Sequence, residues 1–214
     1  MSKISESDLL VLQVLRVKGF VDTDAVAEAV GLSQEESLNM LNQFAEEGMV
    51  SYREGRMVGW MITPEGRSHG EQLLANEVDN LGIRPEIETS YKEFSQLNDD
   101  FKELCTDWQL KPPSDGSEGE QLLNDHSDPD YDKRVIDRLV ELDKQTQPMC
   151  ASLTEQLVRF SSYGSRFTYA LEMVLKGDTD WIAKPMMESY HTVWFELHEN
   201  FFSTLGIDRA SEST

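Results

Sequence analysis

The chain has 214 residues, enough for one large domain or two small ones, each burying a core of its own. Hydrophobic residues make up 39% and charged residues 28%, a balance typical of globular proteins, and no apolar run approaches the roughly 18 residues that a membrane span needs. The N-terminus lacks a secretory signal, and two cysteines are too few for a disulfide scaffold. We therefore expect a cytoplasmic protein with reduced thiols and no membrane contact.

The formal net charge of −21 restricts the partners that the chain can bind. The first 76 residues carry six Lys and Arg against twelve Asp and Glu, which leaves −6 for this segment and −15 for the remainder. DNA-binding proteins normally need a basic surface, because the neutralised phosphates release counterions. Any contact with DNA must therefore come from a local arrangement of positive charge.

Three helices are predicted at the start of the chain. The first contains the apolar side chains between Leu9 and Leu15 and ends at Gly19. The second follows a cap at Asp22 or Thr23 and stops at Gly31, which can adopt a positive φ. The third extends from Gln34 to Glu47, with Ser33 as its cap and Gly48 at its end. Two short helices joined by a brief turn containing glycine describe a helix-turn-helix.

A hairpin and a fourth helix are predicted next. Residues 49–53 and 57–62 are strand-like, with Glu54, Gly55 and Arg56 at the tip between them. Thr63 ends the second strand, and Pro64 occupies a tolerated position in the first turn of a helix that continues through Leu74.

This N-terminal third resembles the winged-helix domain of MarR-type and PadR-type bacterial regulators. The resemblance is carried by Ala27, Gly31-Leu32-Ser33, Gly48-Met49-Val50 and Thr63-Pro64-Glu65-Gly66-Arg67. It implies that the third helix enters the major groove of DNA and that the hairpin reaches the backbone or the minor groove. Carried over by position, the candidate DNA contacts are Gln34, Glu35, Ser37, Asn39 and Gln43 on the helix, with Arg53 and Arg56 on the wing.

The third helix departs from the family pattern because it has no Lys or Arg. Asn39, Gln43, Glu46 and Glu47 stand where relatives carry positive charge. Asn and Gln can still read adenine edges. Glu35 and Glu36, however, would repel phosphates.

A linker is predicted at residues 80–85. The helical spacing of apolar residues after it predicts a helical bundle. We expect helices over 86–110, from about residue 130 with a break or kink at Pro148, around 163–174, and from about 180 to 205. Residues 111–130 are predicted to form an exposed loop. The last helix is apolar over a wide arc, so it either lies centrally or pairs with a second subunit.

Several side chains in the bundle are candidates for binding small molecules. Arginines among aromatic rings could hold a carboxylate effector, and surface charges that balance an acidic protein are the alternative; the residues are Arg159, Arg166, Tyr163 and Tyr169. Glu188, His191 and His198 share a helix face, but a di-iron site needs a second Glu-x-x-His step. Cys105 and Cys150 are interpreted as buried thiols rather than a redox pair.

The sequence thus predicts a mainly α protein with a winged helix-turn-helix at 1–80 and a helical bundle at 86–206. No phosphate-binding loop, nucleophile elbow or metalloprotease pair is present, so we expect no enzyme, cofactor or metal. The leading hypothesis is a homodimeric transcription regulator that binds double-stranded DNA under control of a small effector, which shifts the population of binding-competent dimers. The alternative is an acidic winged-helix adaptor that binds another protein.

Overall fold

The computed structural model describes residues 3–55, 58–112 and 121–208. The predicted mainly helical class is confirmed, with two small antiparallel sheets. The helices are α1 Ser7–Lys18, α2 Thr23–Val30, α3 Gln34–Glu46, α4 Pro64–Leu81, α5 Arg84–Gln109, α6 Pro129–Gln156, α7 Ser161–Leu175, α8 Asp180–Ala183 and α9 Tyr190–Leu205. The strands are β1 Val50–Arg53, β2 Gly59–Ile62, β3 Leu110–Lys111 and β4 Leu122–Leu123. Among these residues, no helix combines the length and the apolar character that a membrane crossing requires.

The chain divides into two units that do not follow sequence order. The first comprises Met1–Glu88, Glu155–Arg159 and Phe195–Thr214, and the second comprises Thr89–Thr154 and Phe160–Trp194. Two segments distant in sequence thus belong with the N-terminal residues. Independent folding of residues 1–80 stays a prediction.

The apolar core of the first unit joins α1, α2, α3 and the hairpin. It consists of Val11, Leu12, Leu15, Val21, Val26, Leu41, Phe44, Val50 and Trp60. Strands β1 and β2 pair from Val50 opposite Ile62 to Arg53 opposite Gly59. A Cβ atom at Gly66, in the first turn of α4, would lie 2.0 Å from the Met49 carbonyl oxygen. Only glycine therefore permits α4 to pack this closely against the start of the hairpin.

A buried polar network also holds the first unit together. The Arg159 guanidinium donates to Glu77 at 3.2 Å, to Asn200 at 2.7 Å and to Thr204 at 3.1 Å. Gln13 donates to Asn200 and Ser203 at 2.9 and 2.8 Å. These bonds satisfy polar groups that would otherwise be costly to bury, and they fix the C-terminal residues against α1 and α4.

Aromatic rings form much of the core of the second unit. The ring of Trp194 lies 4.8 Å from that of Phe94 and 4.6 Å from that of Phe101, while Phe167 and Tyr190 are 4.7 Å apart. The buried Tyr190 hydroxyl donates to the Asp143 carboxylate at 3.1 Å.

Pro148 and Pro185 both lie within predicted helices, but only Pro185 ends a helix. Residues 180–205 form two helices rather than one, because Pro185 favours an extended conformation at Lys184, where ψ is 128°. In contrast, α6 continues through Pro148 without ending. The Pro148 ring lies on the exposed side, and the buried side chains of Leu142 and Met149 keep the apolar face continuous around it.

The predicted linker and loop are shorter than expected. Only Gly82 and Ile83 separate α4 from α5, and Pro85 lies in the first turn of α5. Within the predicted 111–130 loop, Lys111 pairs with Leu122, and residues 113–120 lie outside the described part of the chain.

The last long helix is buried within its own chain. Its inward side chains are 0–3% exposed; they are Tyr190, Val193, Trp194, Leu197 and Phe201. Burial within the chain accounts for these side chains, so the apolar arc does not require a second subunit. The homodimer stays a prediction, and this helix no longer argues for it.

Replacing Arg159 should strongly destabilise the protein. The side chains of Arg159 and Glu77 are only 4% and 10% exposed, so Arg159→Met leaves a buried carboxylate without its cation. We expect a loss of about 3 kcal/mol in the free energy of unfolding, measured by urea denaturation. Lys133→Met, which removes an exposed pair with Asp137, should cost less than about 0.5 kcal/mol. Equal losses in the two variants would contradict a structural role for the network.

Candidate functional site

Local capping interactions position α3, the helix that the family resemblance predicts to contact DNA. The Asp22 side chain caps α2 by accepting from the Ala25 amide at 2.8 Å. Gly31 then turns the chain with φ at 71°. Ser33 and Glu36 form a reciprocal capping box at the start of α3, in which the Ser33 amide donates to the Glu36 carboxylate at 3.0 Å. The predicted cap at Ser33 and the positive φ at Gly31 are confirmed.

Burial fixes which side of α3 faces the solvent. Ser37, Leu41 and Phe44 are buried against the core of the first unit. The opposite side is exposed, and the side chains along its centre are spaced by three and four residues. We call these four residues the outward row: Glu35, Asn39, Asn42 and Glu46.

Ser37 is not placed to contact DNA, contrary to the prediction. Its side chain is fully buried, and its hydroxyl oxygen has no hydrogen-bond partner among the described residues. Residue 37 precedes Leu41 by four positions and Phe44 by seven, so it lies on the same side of the helix as these core residues. This spacing was visible in the sequence, as was the outward position of Asn42, which was not among the predicted contacts.

Two other predicted contacts already have carboxylate partners. The Gln34 amide donates to Asp24, and the Gln43 amide donates to Glu47 at 3.0 Å. Both side chains are exposed, but a base edge would have to compete with a neighbouring anion for their N–H groups. Asn39 is exposed, and no hydrogen bond joins its amide to a carboxylate among the described residues.

The hairpin places one predicted wing residue in solvent. Arg53 ends β1 opposite Gly59 and is exposed, and it makes no ion pair with any residue that the structure describes. Arg56 lies outside the described residues. The wing therefore offers one described cation at a position suited to an anionic partner.

Two other cations near the N-terminus are directed inward, whereas Lys18 and Arg67 are exposed. The Arg16 guanidinium lies between the carboxylates of Glu71 and Glu199, at 2.6 and 2.7 Å, and its side chain is 15% exposed. The Lys3 ammonium donates to the Leu81 carbonyl oxygen at 3.1 Å. Arg16 is therefore engaged by carboxylates and largely withdrawn from the surface.

The carboxylates at the two ends of α3 have different local environments. Hydrogen bonds from Ser33 lower the pKa of Glu36, and the helix N-terminus favours negative charge there. Glu46 and Glu47 lie at the C-terminal end, where no basic side chain accompanies them and the helix dipole is already negative. Negative potential is therefore concentrated at the end of α3 that leads into β1.

The two predicted effector arginines each have a carboxylate partner within their own unit. Arg159 is buried in the polar network of the first unit, so its guanidinium is not open to an external carboxylate. Arg166 belongs to the second unit, where it donates to Glu188 at 2.7 Å and lies over the ring of the buried Tyr163. Tyr169 is exposed and packs edge-on against Trp181. Each arginine therefore has a structural partner.

The predicted helix face shared by Glu188, His191 and His198 is wrong for Glu188, which precedes the start of α9 at Tyr190. Glu188 binds Arg166, the ring of His191 lies 6.0 Å from that of Phe101, and the ring of His198 lies 4.2 Å from that of Phe202. Burial lowers the pKa of His191, which favours the neutral ring. Within residues 3–55, 58–112 and 121–208, no group of three or more His, Cys, Asp and Glu side chains could hold a metal ion.

No protein-family model, curated protein or solved structure matches the chain. The exposed surface of α3 and the hairpin, which carries the predicted contacts, is therefore the candidate functional site.

Replacing Ser37 should stabilise the protein. Ser37→Ala removes a buried hydroxyl that has no partner, and we expect the free energy of unfolding to rise by about 1 kcal/mol in urea denaturation. Asn39→Ala, two positions further along α3 and exposed, serves as the comparison and should leave stability nearly unchanged. A large loss of stability in Ser37→Ala would show that the hydroxyl has a partner.

Both cysteines should react slowly with thiol reagents in the folded protein. Burial raises the pKa of Cys105 and of Cys150 to about 12, and Asp143 contributes at Cys150. At pH 8 only about one thiol in ten thousand is then ionised, and the thiolate is the nucleophile. Modification by dithionitrobenzoate, followed by absorbance, should accelerate with rising pH and on adding urea. Complete reaction within seconds in native buffer would contradict this.

Proposed function

We propose that residues 1–81 form a winged helix whose α3 surface binds a partner protein rather than DNA. The order of three helices, an antiparallel hairpin and a fourth helix supports the winged-helix assignment. The main observation in its favour is the outward row of α3, which has a carboxylate at each end and two Asn amides between them.

Electrostatics disfavour insertion of α3 into a DNA groove. Duplex DNA carries a negative charge for roughly every 1.7 Å of its axis, and proteins bind it by neutralising phosphates with Lys and Arg. Docked in a major groove, α3 would instead bring Glu35 and Glu46 towards the phosphates. Because Arg16 is paired with carboxylates, it does not compensate for them.

The exposed apolar side chains of the segment favour a protein partner. Leu38 is 42% exposed beside the outward row, and Tyr52 and Val58 on the hairpin are 50% and 57% exposed. Protein interfaces commonly combine an apolar centre with a charged rim, and charge complementarity across the rim selects the partner. Leu38 and the neighbouring carboxylates of the outward row supply both components on α3.

A second candidate function is the DNA-binding regulator that the family resemblance implies. The exposed Arg53 and the accessible amides of Asn39 and Asn42 favour it, because Arg can bind a phosphate and Asn can read adenine. In this candidate, a homodimer would match a two-fold symmetric operator, and an effector would alter its occupancy.

DNA binding distinguishes the two candidates. We expect no change in the fluorescence anisotropy of a labelled mixed-sequence duplex at protein concentrations up to about 10 µM in dilute buffer, because α3 presents no cation to the phosphates. Glu35→Lys/Glu46→Lys should create salt-sensitive binding to the duplex. Glu93→Lys/Asp100→Lys changes the charge by the same amount on the exposed side of α5, and should bind the duplex more weakly.

The opposite result would favour the regulator. Duplex binding by the unchanged protein that falls steeply with salt and is weakened by Arg53→Ala would overturn the adaptor proposal. The same titration with DNA from the region upstream of its own gene would then measure specificity.

A further inference from the structure

The outward row of α3 also indicates which kind of protein segment it binds. Resting on the proposed function, we infer that the partner is a cationic amphipathic segment that places Lys or Arg against Glu35 and Glu46 and an apolar side chain against Leu38. The inference follows from the spacing, the charges and the exposure of these residues.

The spacing of the carboxylates sets the length of the segment. Glu35 and Glu46 are eleven residues apart on one exposed side of a continuous helix. At a rise of 1.5 Å per residue, their backbones are separated by about 16 Å along the axis. A helical partner would span this distance with basic residues eleven positions apart. An extended partner would need basic residues about four or six positions apart, because only an even separation places both side chains on one face.

Glu46 and Glu47, the carboxylates at the C-terminal end of α3, lower the stability of the helix. Glu36 at the N-terminus stabilises α3 through the capping box, whereas Glu46 and Glu47 oppose the helix dipole without a basic neighbour. The only hydrogen bond described for the two C-terminal carboxylates comes from the Gln43 amide to Glu47. A cation supplied by a partner would offset this unfavourable interaction. Binding is therefore favoured at the end of α3 where the two carboxylates destabilise the free helix.

The exposed Leu38 and the two amides complete the surface. Leu38 flanks the row between its charged ends, so an apolar side chain of the partner would remove it from water. Asn39 and Asn42 are exposed between the carboxylates, and their amides can both donate to and accept from a polar partner. Specificity would therefore come from the charges and amides, and part of the affinity from Leu38.

Charge complementarity favours this occupant over a second copy of the chain. Each copy carries a net charge of −21, so two copies meeting at α3 would bring like charges together. A cationic segment instead experiences attraction over the whole approach.

Peptide binding tests the inference. The probe is a labelled 15-residue alanine-rich peptide with lysines eleven positions apart and two leucines between them. The comparison peptides carry Gln in place of Lys, or Ser in place of Leu. We expect the first peptide to bind the full-length protein in a fluorescence anisotropy titration, and both comparison peptides to bind more weakly.

Variants of α3 establish where the peptide binds. Glu46→Gln/Glu47→Gln should weaken binding about three- to tenfold, and Leu38→Ser about fivefold. The matched control Glu93→Gln/Asp100→Asn should leave the affinity unchanged. Because the dipole conflict is removed, Glu46→Gln/Glu47→Gln should also raise the midpoint of thermal unfolding by about 1 to 4 °C. Weaker binding in a more stable variant cannot be explained by loss of folding.

Three outcomes would overturn the inference. These are failure of the lysine peptide to bind, equal weakening by the α5 control variant, and peptide-independent self-association that Leu38→Ser abolishes. If the DNA duplex also fails to bind, each of these outcomes excludes the cationic segment but is still compatible with another protein partner for α3. Salt-sensitive duplex binding that depends on Arg53 would remove the proposed function itself.

Discussion

The packing of Leu41 and Phe44 into the core of the first unit determines what the surface of α3 can do. These two side chains fix the rotation of the helix about its axis, because turning it would expose them to water. Ser37 is buried as a consequence, even though its hydroxyl gains no partner. Glu35 and Glu46 are exposed for the same reason, so the acidic character of the surface follows from the apolar core beneath it.

The distribution of charge strengthens this effect. Arg16 and Arg159 satisfy carboxylates inside the first unit, where they fix the C-terminal residues against α1 and α4. Replacing a buried ion pair by apolar residues is often neutral for stability, whereas removing only one partner is costly. Neither arginine is exposed at the surface. Arg16 is therefore not available at the surface to offset the exposed carboxylates of α3.

Much of the fold could be predicted where neighbouring residues decide the structure. The caps at Asp22 and Ser33, the turn at Gly31 and the ends of α1 to α3 were all visible as local patterns. Local patterns do not, however, show whether a proline ends a helix. Pro185 separates α8 from α9, whereas Pro148 lies inside α6, because the buried residues on both sides of Pro148 hold the helix together. The candidate site was predicted less well, since Ser37 was assigned to the wrong side of α3.

The sequence alone determined the helical class, the helix boundaries near the N-terminus and the absence of cations from α3, because each depends on residues within a few positions of one another. Only the tertiary structure decided the partners of Arg159, the return of residues 195–208 to the N-terminal unit, and which carboxylates stand exposed on α3. These features depend on side chains far apart in sequence. Their contacts follow from burying apolar surface and satisfying buried charge together, which no local pattern records.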